Sequence, residues 1–286
     1  MNIIIFGNSY IMRTFINSYK DKYNFIVIDR SLYDINSPNY DNIKDILDKN
    51  TPDIIIDSIC PILPIYKYSE YNMYLLDNTL RHINYINKLI ENYNVKKLIY
   101  LSSAGIIYTN ESKEENYYNH INNLYGLLKI QSECLYKYYA SSINTKCQYQ
   151  ILRISNVYGN FKEHKTMDNG IINIILKNHI NNQETHITSS NISKNYIYIY
   201  DLCDMIDIII NKDFNNNYEI INIGSPYNYT INDIINIILS KFKLNIKIDN
   251  NKIYNNSYFT INIDKLQHLL NNYKFTKLEN YINTLN

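Results

Sequence analysis

Residues 94–103, Asn94-Val95-Lys96-Lys97-Leu98-Ile99-Tyr100-Leu101-Ser102-Ser103, read as a turn feeding a short strand over 98–102 that ends in hydroxyls. Its apolar residues are continuous rather than alternating, as in strands covered on both faces. Runs of the same kind lie at 2–6, 25–29 and 53–57 upstream and at 150–154 downstream. Helix-length segments separate them, at about 11–19, 42–49, 74–93 and 125–139. Short strands alternating strictly with helices imply right-handed crossovers and a parallel sheet.

The expected fold is therefore α/β: a Rossmann-type doubly wound parallel sheet with a smaller interleaved C-terminal substrate lobe. After Gly159 the pattern loosens into helices at 171–179, 202–210, 231–242 and 265–270, with strands at 195–200 and 219–223. This assigns residues 1–160 to a dinucleotide-binding unit, with about 195–215 returning to it, and 161–286 to the smaller lobe.

Composition narrows the function. A 286-residue chain that is 45% hydrophobic can bury a sizeable core. Tyr occurs 31 times, Gly 6 times and Trp never, with abundant Asn and Ile, a bias toward AT-rich codons. The net charge of +1, with no dense Lys/Arg stripe, gives no electrostatic footing for nucleic acid. No apolar run is long enough to span a bilayer. The N-terminus passes straight into Ile3-Ile4-Ile5-Phe6 without a cationic segment or cleavage site, so a cytoplasmic protein is expected. Cys60, Cys134, Cys147 and Cys203 show neither paired nor metal-type spacing, which implies reduced thiols and no metal.

The strand ends carry the chemistry. After the first strand comes Gly7-Asn8-Ser9-Tyr10-Ile11-Met12-Arg13. Dinucleotide-binding turns carry glycines three apart, and here Tyr10 and Arg13 stand at two of the three places, so an ordinary strand-to-helix turn competes with the cofactor reading. The second strand ends at Asp29, where a carboxylate can accept from both ribose hydroxyls of NAD; the adjacent Arg30 keeps NADP as the alternative. Ser58, Ile59 and Cys60 follow the third strand. Ser102 and Ser103 end the fourth, and 22 residues beyond Ser103 comes Tyr125-Gly126-Leu127-Leu128-Lys129. Tyr125 and Lys129 share one helix face. An ammonium beside a phenol favours the phenolate and is expected to lower its pKa, making a proton-transfer device. Five Tyr/Lys pairs four apart occur in the chain, so order within the sheet, not the pair itself, singles this one out.

The ordered set of 94–103, Tyr125…Lys129…Glu133 and Leu152-Arg153-Ile154-Ser155-Asn156-Val157-Tyr158-Gly159 resembles the extended short-chain dehydrogenase/reductase family. The resemblance is to its nucleotide-sugar epimerase/dehydratase branch, of the UDP-galactose 4-epimerase type. Lys194-Asn195-Tyr196-Ile197-Tyr198-Ile199-Tyr200-Asp201-Leu202 and Asn222-Ile223-Gly224-Ser225 resemble its later motifs, so the likeness runs over nearly the whole chain. The resemblance implies Tyr125 as acid/base, Lys129 on the nicotinamide ribose, and Ser103 as the third catalytic hydroxyl, with Ser102 as the alternative. It implies Gly7, Ser9, Tyr10, Ile11, Asp29, Arg30, Ser58, Ile59, Cys60 and Asn78 around NAD, with Asn156 and Lys194 on a nucleotide-sugar substrate. It also implies a homodimer. The expected activity is NAD(P)-dependent epimerisation or reduction at C4 of the sugar. Ala104-Gly105 stand where the 4,6-dehydratases carry an acidic pair, which disfavours dehydration. The rival reading is a non-catalytic binding or regulatory protein that kept the fold after its phosphate loop changed.

Overall fold

The computed structural model describes residues 1–35, 41–62, 73–107, 115, 123–141, 146–160, 170–187, 193–248 and 260–285. The first half runs β1 (Asn2–Phe6), α1 (Tyr10–Tyr19), β2 (Asn24–Ile28), α2 (Asp41–Lys49), β3 (Ile54–Asp57), α3 (Met73–Tyr93), β4 (Lys97–Ser103), α4 (Ala104–Ile107), α5 (Leu124–Ala140) and β5 (Gln148–Ile154). The second half runs β6 (Asn156–Tyr158), α6 (Gly170–Ile180), β7 (Thr185–Ile187), β8 (Ser193–Tyr198), α7 (Ile199–Asn211), β9 (Tyr218–Ile223), β10 (Asn228–Thr230), α8 (Ile231–Leu239), β11 (Ile246–Ile248), α9 (Asp264–Leu270) and α10 (Leu278–Thr284).

Six strands pair in parallel in the order β2-β1-β3-β4-β5-β9. Side chains alternate across each strand, so β1 sends Ile3 and Ile5 into one core and Ile4 and Phe6 into the other. The first core is closed by Met12 and Phe15 of α1, Leu202 and Ile206 of α7 and Leu266 of α9. The second is closed by Ile43 and Leu47 of α2, Ile83 and Ile86 of α3 and Tyr136 of α5. Helices on both faces explain the continuous apolar strands.

The small strands form two further sheets, β10-β8-β6 and β11-β7. They pack with α6, α8 and α10 around Tyr158, Ile175, Tyr196, Ile234 and Tyr281. The strand expected over 195–200 ends at Tyr198, which instead caps α7. Helix α8 starts at a capping box, in which Thr230 and Asp233 satisfy each other's amides, and it ends at Leu239 rather than 242. Strands β6, β7, β10 and β11 have three residues each, too few to show a period in the sequence. Asn94, Asn160, Asn182, Asn271 and Asn272 hold left-handed backbone at turns and helix ends. No described helix is long and apolar enough to cross a membrane.

Candidate active site

Strand order reverses between β1 and β3, and open α/β sheets hold ligands in the crevice beyond such strand ends. A cavity of about 420 Å³ lies there. Gly7, Ser9, Asp29, Arg30, Ser58, Ile59 and Cys60, all singled out by the sequence, line it. Gly7 has φ +95°, which side-chain-bearing residues rarely adopt. A Cβ there would stand 2.7 Å from Ser58 Oγ and 3.2 Å from Ile59 Cγ1, so the two strand ends approach this closely only with glycine. Ser58 donates both its amide and its hydroxyl to the Phe6 carbonyl at 2.9 Å. Ser9 caps α1, accepting from the Met12 amide at 3.3 Å, so the positive end of this helix opens beside the cavity.

Asp29 follows β2 at the cavity rim. Its Oδ1 accepts from the Ser31 hydroxyl at 2.6 Å and the Ser31 amide at 2.9 Å, bonds that hold its carboxyl below the usual range. Arg30 is exposed, and its Nε donates to Asp34 at 3.1 Å within the same loop. A glycine cradle, a helix N-terminus and an ionised rim carboxylate are the donor and acceptor set that a dinucleotide with a free ribose diol requires. These residues fit NAD.

Tyr10, Ile11 and Asn78 are not among the residues lining this cavity. The Tyr10 hydroxyl donates to the Gly159 carbonyl, and its ring packs with Ile11 against the first core. Arg13 turns back on its own loop, donating to the Asn8 carbonyl at 2.6 Å. Asn78 is buried in α3.

The proton-transfer candidates sit on α5, whose N-cap Asn123 accepts from the Gly126 amide at 2.7 Å. Lys129 is buried; its Nζ donates to the Leu101 carbonyl of β4 at 2.6 Å and lies 5.6 Å from the Tyr125 ring centre and 4.7 Å from that of Tyr100. Burial works against the ammonium, but the Tyr100 and Tyr125 phenols, Cys60 and Asp57 outweigh it and hold its pKa above the ordinary value. Half-buried Tyr125 packs with Cys60, Ile62, Leu75 and Leu128, so Cys60 joins this group to the cavity. The expected lowering of the Tyr125 pKa is reversed: burial pushes it up, and the opposing pull of Lys129 does not cancel it.

The two serines separate because neighbours on a strand face opposite ways. The Ser102 hydroxyl is buried and donates to Glu133 Oε1 at 2.5 Å. Glu133 in turn pairs with Arg153 of β5 at 2.7 Å, with neither side chain exposed. Ser102 thus belongs to an internal brace, and half-buried Ser103 ends the strand. Asn156 and Lys194 meet on one small sheet: the Asn156 amide donates to the Asn195 carbonyl at 2.9 Å, while Lys194 is exposed on β8. Asn156 also lies against the turn after Ser103, 4.0 Å from where a Cβ on Gly105 would stand.

Several residues at the site escaped the sequence reading. Ser31, Tyr33 and Asp34 line the cavity, and Tyr100 lies under Lys129. Only Ser31 left a signal, since an Asp two residues before a Ser favours a side-chain-to-amide turn. Among the described residues no cluster of His, Cys, Asp and Glu could hold a metal ion.

A cavity at the strand-order reversal of a doubly wound sheet marks the dinucleotide-binding class of α/β proteins. Within that class, the chain belongs to the NAD dependent epimerase/dehydratase family, whose sequence pattern it matches over residues 8–224. It is 32% identical over 169 residues to a protein of Methanocaldococcus jannaschii assigned as a UDP-glucose 4-epimerase, a match taking in 56% of this chain and 52% of the relative. It is 26% identical over 220 residues to dTDP-D-glucose 4,6-dehydratase of Dictyostelium discoideum, taking in 72% and 48%. The chain thus spans about half the length of these curated relatives. Its fold superposes on the UDP-glucose 4-epimerase of Thermus thermophilus in complex with NAD with a TM-score of 0.81, covering 99% of this chain and 96% of that one at 13% identity.

Proposed function

We propose that the protein is an NAD-dependent epimerase or reductase acting at C4 of a nucleotide-activated sugar. One observation carries the reading: Tyr125 and Lys129 share a face of α5 beside a cavity that fits NAD, with Cys60 common to both. NAD, when bound, supplies the hydride acceptor and donor. Tyr125 takes the proton of the sugar hydroxyl and returns it. Lys129, fixed on the Leu101 carbonyl, stabilises the phenolate, and Ser103 orients the reacting oxygen. Asn156 and Lys194 hold the substrate, Lys194 serving its phosphates as a point charge rather than a bidentate fork. A dehydratase stands among the relatives, yet Ala104 and Gly105 offer no acid after Ser103, which favours epimerisation or reduction over loss of water. The same reading makes the protein a cytoplasmic homodimer paired through α3 and α5.

The test is Tyr125→Phe, assayed with NAD and UDP- or dTDP-hexoses while the fold is followed by circular dichroism. Turnover is expected to vanish with the spectrum unchanged, and undiminished turnover rejects the assignment. The phosphate loop, with Gly7 its lone glycine, keeps a non-catalytic relative as the second reading. A folded protein that binds NAD but turns over none of these sugars supports it.

A further inference from the structure

Behind the cavity runs a buried chain of polar groups that the proposed chemistry does not use. Tyr33 stands in the cavity wall, and its hydroxyl lies 3.0 Å from His82 Nδ1. His82 Nε2 lies 3.1 Å from Asp57 Oδ1, which also accepts the Ile59 amide at 3.1 Å. The other oxygen, Oδ2, accepts the Tyr136 hydroxyl at 2.6 Å. Asp57 is 0% exposed, and His82 and Tyr33 are each 2% exposed. Burying a carboxylate and an imidazole together is costly unless each polar atom is satisfied, and here the partners come from four separate elements.

Burial opposes the charge on Asp57, but His82 and the bonds from Tyr136 and Ile59 outweigh it and keep the carboxyl below its ordinary range. An ionised carboxylate only accepts, so His82 carries a proton on Nε2. On the other side of the ring, Nδ1 meets the Tyr33 hydroxyl at 3.0 Å. Two ends of the network, Tyr33 and Ile59, are walls of the cavity. The third, Tyr136, lies on α5 about two turns beyond Lys129.

We propose that Asp57 and His82 are positioning residues for the cofactor, setting the cavity wall through Tyr33 and Ile59 and tying it to the helix of Tyr125 and Lys129. The inference rests on the cavity being the NAD site. Calorimetric titration of NAD into wild type, Tyr33→Phe, His82→Gln and the double variant tests it, with thermal melting alongside. His82→Gln keeps an amide donor toward Asp57 and removes the partner of Tyr33. Each single variant is expected to weaken NAD binding about 5- to 10-fold, and the double no more than either alone, because both break one interaction. Losses that multiply in the double variant, or unchanged affinity with only a lowered melting temperature, overturn the proposal and leave the cavity reading standing. Absence of NAD binding to folded wild type overturns both. Should His82→Gln fail to fold, Tyr33→Phe decides by itself: weakened binding upholds the proposal and unchanged binding overturns it.

Discussion

The Tyr10 hydroxyl donates to the Gly159 carbonyl, joining the first residue of α1 to a turn 149 residues further along the chain. Tyr10 stands where dinucleotide-binding loops carry a glycine, yet its side chain leaves the loop and fills space in the first core. A residue that departs from the glycine pattern in the sequence is a brace in the structure.

Tyr10→Phe is expected to cost about 1 kcal/mol, the worth of one hydrogen bond, in urea unfolding. Affinity for NAD, measured by calorimetry, stays within about twofold of wild type, a change of under 0.5 kcal/mol. A tenfold loss of affinity would instead put Tyr10 in contact with the cofactor.

Gly7→Ala faces two penalties, the left-handed backbone and the 2.7 Å approach to Ser58 Oγ. The first alone costs about 1–2 kcal/mol. Adding Ser58→Ala relieves the contact but not the backbone, so the double variant recovers only part of the lost urea midpoint. Full recovery would show that the contact, not φ, makes glycine necessary.

Arg153→Met strands Glu133 as an unpaired charge at a site where both side chains have 0% exposure. Breaking one partner of such a pair costs about 3–5 kcal/mol. Ser102→Ala, which removes one bond to the same carboxylate, costs less, about 1–3 kcal/mol. Chemical denaturation of both variants checks the order, and a reversal would mean that the serine hydrogen bond contributes more than the arginine to holding Glu133.

Burial holds the Tyr125 phenol above its ordinary pKa of 10.0, so its basic form is scarce at neutral pH. The rate of substrate oxidation is therefore expected to climb as pH rises from about 6 to 9, by up to about tenfold per unit. Lys129→Met removes the ammonium that favours the phenolate, and so should move the climb to still higher pH. A flat profile in wild type under conditions where chemistry limits the rate would exclude Tyr125 as the base.

The sequence reveals the doubly covered sheet because its strands are unbroken apolar runs flanked by long helices. It reveals the order of strand ends, and with it Asp29, Ser103 and Tyr125, because these follow from chain order alone. Ser102 and Ser103 are ambiguous in sequence, since adjacent hydroxyls differ only in the face they take. The partnerships of Tyr10 with Gly159 and of Asp57 with His82 leave no trace, because each joins elements brought together only by tertiary packing. The pKa of Tyr125 is likewise illegible: spacing locates Lys129, but the desolvation that overrides it comes from burial against the cluster of Ile62, Leu75 and Leu128.

Among the described residues, five asparagines occupy left-handed backbone, including Asn94 just after α3 and Asn271 at the end of α9. Glycine usually takes such places, and asparagine is the side-chain-bearing residue that tolerates them best. An AT-rich codon bias, which the composition of this chain suggests, supplies asparagine codons freely and glycine codons sparingly. At these turns asparagine takes the left-handed backbone, whereas at Gly7 a side chain would also meet Ser58 Oγ at 2.7 Å. The codon bias that supplies asparagine at open turns therefore has no equivalent substitute for glycine at Gly7.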